Sequence, residues 1–193
     1  MARRETSTRR KATKPAASPL PAEPAESSIE QLLTFLIGEE EYGISILRVR
    51  EIAEYRPLTP VPKTPPWMRG VMNLRGTVVP VVDLAAKLGL EQTRVSRRTC
   101  LVIVETEVDG ESVVMAVMVD GVSRVVDVLR ADIQEPPPFG LDVDFVPGLV
   151  RVDDVLIVLL DLQAILSDAA PVDASALLPA LREKAIEEAH ARE

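Results

Sequence analysis

The chain has 193 residues, one cysteine, one histidine and a formal net charge of -8. This length suits one ordinary domain with tails; 47% hydrophobic residues allow a sizeable core, and 3% aromatics require that core to be Val, Leu and Ile. Cys100 and His190 alone form no disulfide and no Cys/His zinc cluster, a triad built on the terminal His190 is a poor prospect, and the acidic balance runs against nucleic-acid binding.

Residues 1–27 hold Pro15, Pro19, Pro21 and Pro24 and almost no large apolar side chains, the composition of a disordered tail. Its first 20 residues carry six basic groups against Glu5, a sum of +5, which leaves -13 for the rest. Any contact with nucleic acid or another acidic surface is therefore expected only weakly, through residues 1–27. No apolar stretch follows the basic residues, so the tail does not read as a secretory leader. No run of about 18 apolar residues predicts a membrane span. With a single cysteine, the expectation is a cytoplasmic protein.

The body runs from Ser28 to Ser167 and reads as short strands. Gln31–Ile37 and Tyr42–Ile46 flank a loop at Gly38 to Glu41. Leu47–Ile52 alternates apolar and polar residues, which puts Arg48, Arg50 and Glu51 forward for an exposed face. Pro57 to Pro66 is a rigid crossover ending at Trp67, a core residue by type. Gly70–Leu74 and Thr77–Val82 flank the turn Arg75-Gly76. Thr99–Glu105 and Ser112–Val119 flank Asp109-Gly110, a strong hairpin signal. Gly121 makes a tight turn before Val122–Val126. A second proline crossover, Glu135 to Pro138, precedes Val146–Val152 and Val155–Leu160, which flank Asp153-Asp154. Only Leu84–Leu88 and Leu162–Leu166 look helical within the body. Residues 168–193 return to an acidic, Ala-rich composition with a short helix predicted from Pro179 to Ala191. Many close-spaced strands with few helices predict an all-β barrel or sandwich.

The body repeats. Gly70–Leu84 aligns without a gap on Gly148–Leu162 at an offset of 78, with Gly on Gly and Asp83 on Asp161. Gly43–Ile46 falls more weakly on Ala116–Val119 at an offset of 73. Two copies are too few for a solenoid and each is marginal alone, so two small barrels sharing a core are expected. Asp83 and Asp161, each between a strand and a short helix, read as helix N-caps. Arg75 differs, because its counterpart is Asp153. The turn is common to both copies but the arginine is not, and Gly76 supplies a positive φ there. Arg75 therefore reads as a binding candidate, its guanidinium offering five donors to a carboxylate. Cys100 reads as a buried small apolar residue. No phosphate-cradling glycine loop, EF-hand or metalloprotease motif is present. A barrel pair without a catalytic cluster reads as a binding module.

Tyr42–Ile52, Gly70–Gly76, Val79–Leu84 and Val119–Ser123, in this order and spacing, resemble the CheW chemotaxis coupling proteins. The resemblance spans most of the body, about Ser28 to Ser167. It implies an all-β fold of two intertwined five-stranded SH3-like barrels, no enzymatic activity and no cofactor or metal. It further implies a scaffold joining the hairpin tips of methyl-accepting chemoreceptors to the regulatory domain of a CheA-type histidine kinase, with the receptor tip in the groove between the barrels. The length leaves no room for the receiver domain of the CheV arrangement or for the kinase itself. By the same resemblance, Asn73 to Gly76 and Val49 to Ile52 are functionally sensitive. The expected binding set is Gly70, Asn73, Arg75 and Gly76 with Val49 at an exposed contact and Glu51 on its rim.

Overall fold

The computed structural model describes residues 28–108, 110–137 and 144–167. The tails at 1–27 and 168–193, with the predicted Pro179–Ala191 helix, lie outside them, as do Asp109 and Pro138. Among the described residues are ten strands and two short α-helices, besides two 3-10 turns at Ile46–Arg48 and Arg130–Asp132: β1 Ile29–Ile37, β2 Glu40–Ser45, β3 Val49–Glu54, β4 Met68–Leu74, β5 Thr77–Asp83, α1 Leu84–Lys87, β6 Cys100–Val108, β7 Glu111–Val119, β8 Gly121–Leu129, β9 Gly148–Val152, β10 Val155–Leu159 and α2 Leu162–Ser167.

They form two five-stranded sheets. Sheet B, ordered β3-β6-β7-β5-β4, is contiguous in the chain. Sheet A, ordered β8-β1-β2-β10-β9, joins the first two strands to the last three. Position for position, β8 matches β3, β9 matches β4, β10 matches β5, β1 matches β6 and β2 matches β7. Both repeat offsets meet in one pairing. Parallel β5 and β7 pair Val81 with Ala116, and parallel β10 and β2 pair Leu159 with Gly43. The bulge repeats too, between Val49 and Glu51 on β3 and opposite Leu33 and Phe35 of β1 on β8.

Each sheet is drawn closed by the segment after its edge strand. Thr59 bridges Val71 of β4, and Gln134 bridges Leu149 of β9, each through a reciprocal pair of backbone hydrogen bonds of 2.8–2.9 Å. These close approaches explain two glycines. A Cβ on Gly70 would sit 2.3 Å from the Thr59 carbonyl oxygen, and one on Gly148 would sit 2.5 Å from Ile133 Cγ2.

The apolar runs are continuous because the central strands are covered on both faces. In β6, Leu101 and Ile103 face the interior of barrel B, while Val102 and Val104 join the layer between the barrels. In β1, Leu32 faces the interior of barrel A and Leu33 that same middle layer. The middle layer also holds Phe35, Tyr42, Leu84, Leu88, Leu162 and Ile165, all nearly inaccessible. Each such side chain contributes roughly 1.5–3 kcal/mol by leaving water, so neither barrel is a complete core without the other.

The predicted caps are present. Asp83 Oδ1 accepts from Ala86 N–H at 3.2 Å, and Asp161 Oδ1 accepts from Gln163 and Ala164 N–H at 2.8 and 3.4 Å. Asp83 is fully buried and is also held by Thr93 and Arg69. Trp67 is half-buried against the middle layer, its ring 4.4 Å from the buried Lys87 ammonium. Cys100 is half-buried rather than buried, its thiol donating to the Arg98 carbonyl.

Candidate functional site

Leu74 and Thr77 close a two-residue hairpin in which Arg75 (φ 51°) and Gly76 (φ 90°) are both left-handed. That is the turn whose twist matches its strands, and it asks the left-handed region of an arginine as well as a glycine. Asn73 stabilises it: its Oδ1 accepts from Gly76 N–H at 2.7 Å. The tip is solvent-exposed, and a Cβ on Gly76 would meet nothing within 4 Å.

Barrel closure brings this tip to β3. Arg75 Nη2 donates to Glu51 Oε2 at 2.5 Å. The arginine side chain remains 81% exposed and the glutamate 27%, so the pair closes the seam while its guanidinium still faces solvent. Shallow depressions of about 310 Å3 lie on either side, one lined by Ile52, Glu54, Arg56 and Met72, the other by Arg50, Thr77 and Val114. Next to it, Arg50 pairs with Glu105 at 2.8 Å. The Ser112 hydroxyl and then the Arg50 charge hold the Glu105 carboxyl below its usual range.

Of the six expected residues, four gather here: Asn73, Arg75, Gly76 and Glu51. Gly70 and Val49 do not. Gly70 is buried beneath Thr59, where the backbone approach accounts for it. Val49 is half-buried, pairs with Val104 and packs against the middle layer; the β3 bulge sets it on that face, while Glu51 and Ala53 stand opposite Ile103 and Leu101 of the barrel interior. The apolar side chain that β3 does expose is Ile52, at 46%.

A family model described as the CheW-like domain matches residues 31–170. The chain belongs to the CheW-like family. It is 34% identical over 140 residues to a probable chemotaxis protein CheW of Rhizobium etli, covering 72% of this chain and 88% of that protein. It is 34% identical over 140 residues to the chemotaxis protein CheW of Klebsiella aerogenes, covering 72% and 82%. The protein FrzA of Myxococcus xanthus is 34% identical over 113 residues, covering 58% and 68%. The crystal structure of the scaffolding protein TtCheW from Thermoanaerobacter tengcongensis superposes with a TM-score of 0.63 at 31% identity, covering 72% of this chain and 92% of that one. The CheW-like family is one of chemotaxis coupling scaffolds, and this chain is a scaffold of that kind. Among the described residues no helix is long and apolar enough to cross a membrane.

In this CheW-like chain a second ion pair escapes a reading of single residues. Arg124 Nη1 donates to Asp153 Oδ2 at 2.7 Å. Arg124 is the repeat counterpart of Glu51, and Asp153 that of Arg75. Applying the two offsets to Glu51 and Arg75 is the signal that could have found it, but only barrel closure joins the two segments. Another feature is a cleft of about 610 Å3 where β2 hands over to β3, lined by Ser45, Leu47, Arg48, Arg130, Asp161 and Leu162. Leu47 stands 91% exposed at its edge.

Proposed function

We propose that this chain binds the hairpin tip of a methyl-accepting chemoreceptor and the regulatory domain of a CheA-type histidine kinase, and transmits the state of one to the other without a catalytic step. The observation that carries this reading is the meeting of Glu51 and Arg75 on one exposed seam. They come from the two segments that the family resemblance marks as sensitive. Arg75 and its neighbours Asn73 and Gly76 offer a rigid polar tip, and Ile52 beside Glu51 offers an apolar centre with a charged rim, the anatomy of a non-obligate interface. A scaffold passes on only the free-energy difference that its contacts feel between two partner states, so such contacts suffice. The work takes place in the cytoplasm beside receptor arrays. Residues 28–167 form the working domain, and the tails 1–27 and 168–193 are accessory. Adaptor chemistry of this kind calls on no cofactor or metal.

The similarity to FrzA favours a second reading within the same class, an adaptor of a chemosensory pathway serving gliding or development. Co-purification of the full chain, and of a variant lacking residues 1–27, with receptor-tip fragments, the kinase regulatory domain and duplex DNA tests the proposal. Both chains retain receptor and kinase while DNA is lost as salt rises. Retention of DNA alone, or of neither protein partner, overturns it.

A further inference from the structure

We propose that Gln163 is a positioning residue that sets the two barrels in a fixed orientation to each other. Gln163 lies on α2, which continues the chain from β10 of barrel A and packs against β6 of barrel B, and its carboxamide bonds barrel B. Its Oε1 accepts from Glu107 N–H at 2.8 Å and from the Thr106 hydroxyl at 2.9 Å, while its Nε2 donates to the Glu107 carbonyl at 2.7 Å. Strand β3 pairs with β6 only as far as Val104. Beyond it no strand among the described residues flanks that edge of β6, whose other edge pairs with β7 through Val108. A side-chain amide carries the same donor and acceptor as a backbone unit, so Gln163 stands in for the missing strand and satisfies backbone groups that would otherwise need water.

The fold does not require a glutamine here. At an offset of 78 the equivalent residue of α1 is Ala85, buried and without polar atoms in its side chain. The residue equivalent to Glu107 is Gly38, just past the end of β1, whose N–H is taken by Asp120 Oδ2 at 2.5 Å, not by a helix. The latch is thus particular to the α2–β6 contact. It also differs in kind from the apolar layer around it. Hydrophobic contact resists separation but is non-directional and tolerates sliding, whereas three hydrogen bonds fix position and angle. Asp161 and Leu162, immediately before Gln163, form one wall of the cleft, and Leu47 and Arg48 on the chain leading into barrel B form another. Releasing the latch lets these walls shift. The consequence for receptor coupling rests on the function proposed above; the orientation itself does not.

The test uses the full chain with Gln163→Met, which keeps the bulk and the helix, and Gln163→Ala. Amide exchange at Glu107, residual dipolar couplings and separate titrations with a receptor-tip fragment and the kinase regulatory domain are measured. The Glu107 amide exchanges about tenfold faster. The couplings fit the wild-type structure within each barrel but require a changed or broadened angle between them, and the receptor tip binds several-fold more weakly. Wild-type protection of Glu107, or an unchanged inter-barrel angle in both variants, overturns the proposal. A wild-type protein that binds neither partner refutes the coupling function instead, and the angle still decides the latch.

Discussion

Glu51 and Arg124 hold equivalent places on the edge strands of the two barrels and carry opposite charges. Each closes its seam with the first residue of the opposite hairpin turn, Glu51 with Arg75 at 2.5 Å and Arg124 with Asp153 at 2.7 Å. Both seams carry a charge pair, with opposite polarity. What distinguishes the Arg75 tip is therefore the sign it shows to a partner, not the existence of the bond.

Arg75→Glu leaves two carboxylates at the seam of barrel B. Because Arg75 is 81% exposed, unfolding free energy falls by only about 1 kcal/mol or less, while partner binding drops markedly. Adding Glu51→Arg recreates the polarity of the second barrel. Urea denaturation of this double variant returns to the wild-type midpoint, and titration shows binding still impaired. Restoration of both together would mean that the pair serves the fold alone.

The glycines of the site separate by what surrounds them. Gly70 has φ 135° and backbone within 2.3 Å of a would-be Cβ, whereas Gly76 has φ 90° and open space. Gly70→Ala loses about 3 kcal/mol or more, and Gly76→Ala about 1 kcal/mol. Chemical denaturation of the two variants side by side checks the order.

Val49→Asp brings a carboxylate against the middle layer between the barrels. The expected outcome is a loss of at least about 2 kcal/mol in unfolding free energy, seen as an earlier urea midpoint in the absence of any partner. A variant of wild-type stability would return Val49 to the surface.

Burial pushes the Tyr42 phenol up to about 12. The unfolded phenol titrates near ~10, so the folded state resists deprotonation. Its contribution is complete below about pH 10 and is lost as the pH rises toward 12. In Tyr42→Phe, stability declines less steeply across that window. Urea midpoints at intervals from pH 9 to 12, with phenolate absorbance of the folded wild type, measure both sides of the linkage.

The repeat made much of this legible in the sequence. Its offset of 78 paired Gly70 with Gly148 and Asp83 with Asp161, and both pairs have equivalent structural duties. The double coverage of Leu101–Val104 could be read from an unbroken apolar run. The exposure expected of Val49 followed from the need for a free barrel flank, whereas burial alternates along β3 with Val49 on the covered side, and which layer it meets depends on the bulge against the partner strand. The Gln163 latch could not be read either, since nothing local announces that the helix following β10 reaches the free edge of β6. Arg75 and Glu51 were each marked, but their contact exists only after Thr59 has bridged Val71 and closed the barrel.

The sheet order also sets a timetable for synthesis. Barrel B occupies one unbroken stretch, Val49 to Val119, and has all its strands as soon as β7 has left the ribosome. The β1–β2 hairpin emerges first yet waits for β8, β9 and β10. Contacts so distant along the chain close slowly, and until they do the hairpin exposes Leu32 and Leu33 to whatever is nearby. A nascent chain stalled before Gly121 thus holds all five strands of barrel B beside the two unpartnered strands of the β1–β2 hairpin, a form of this protein in need of a chaperone.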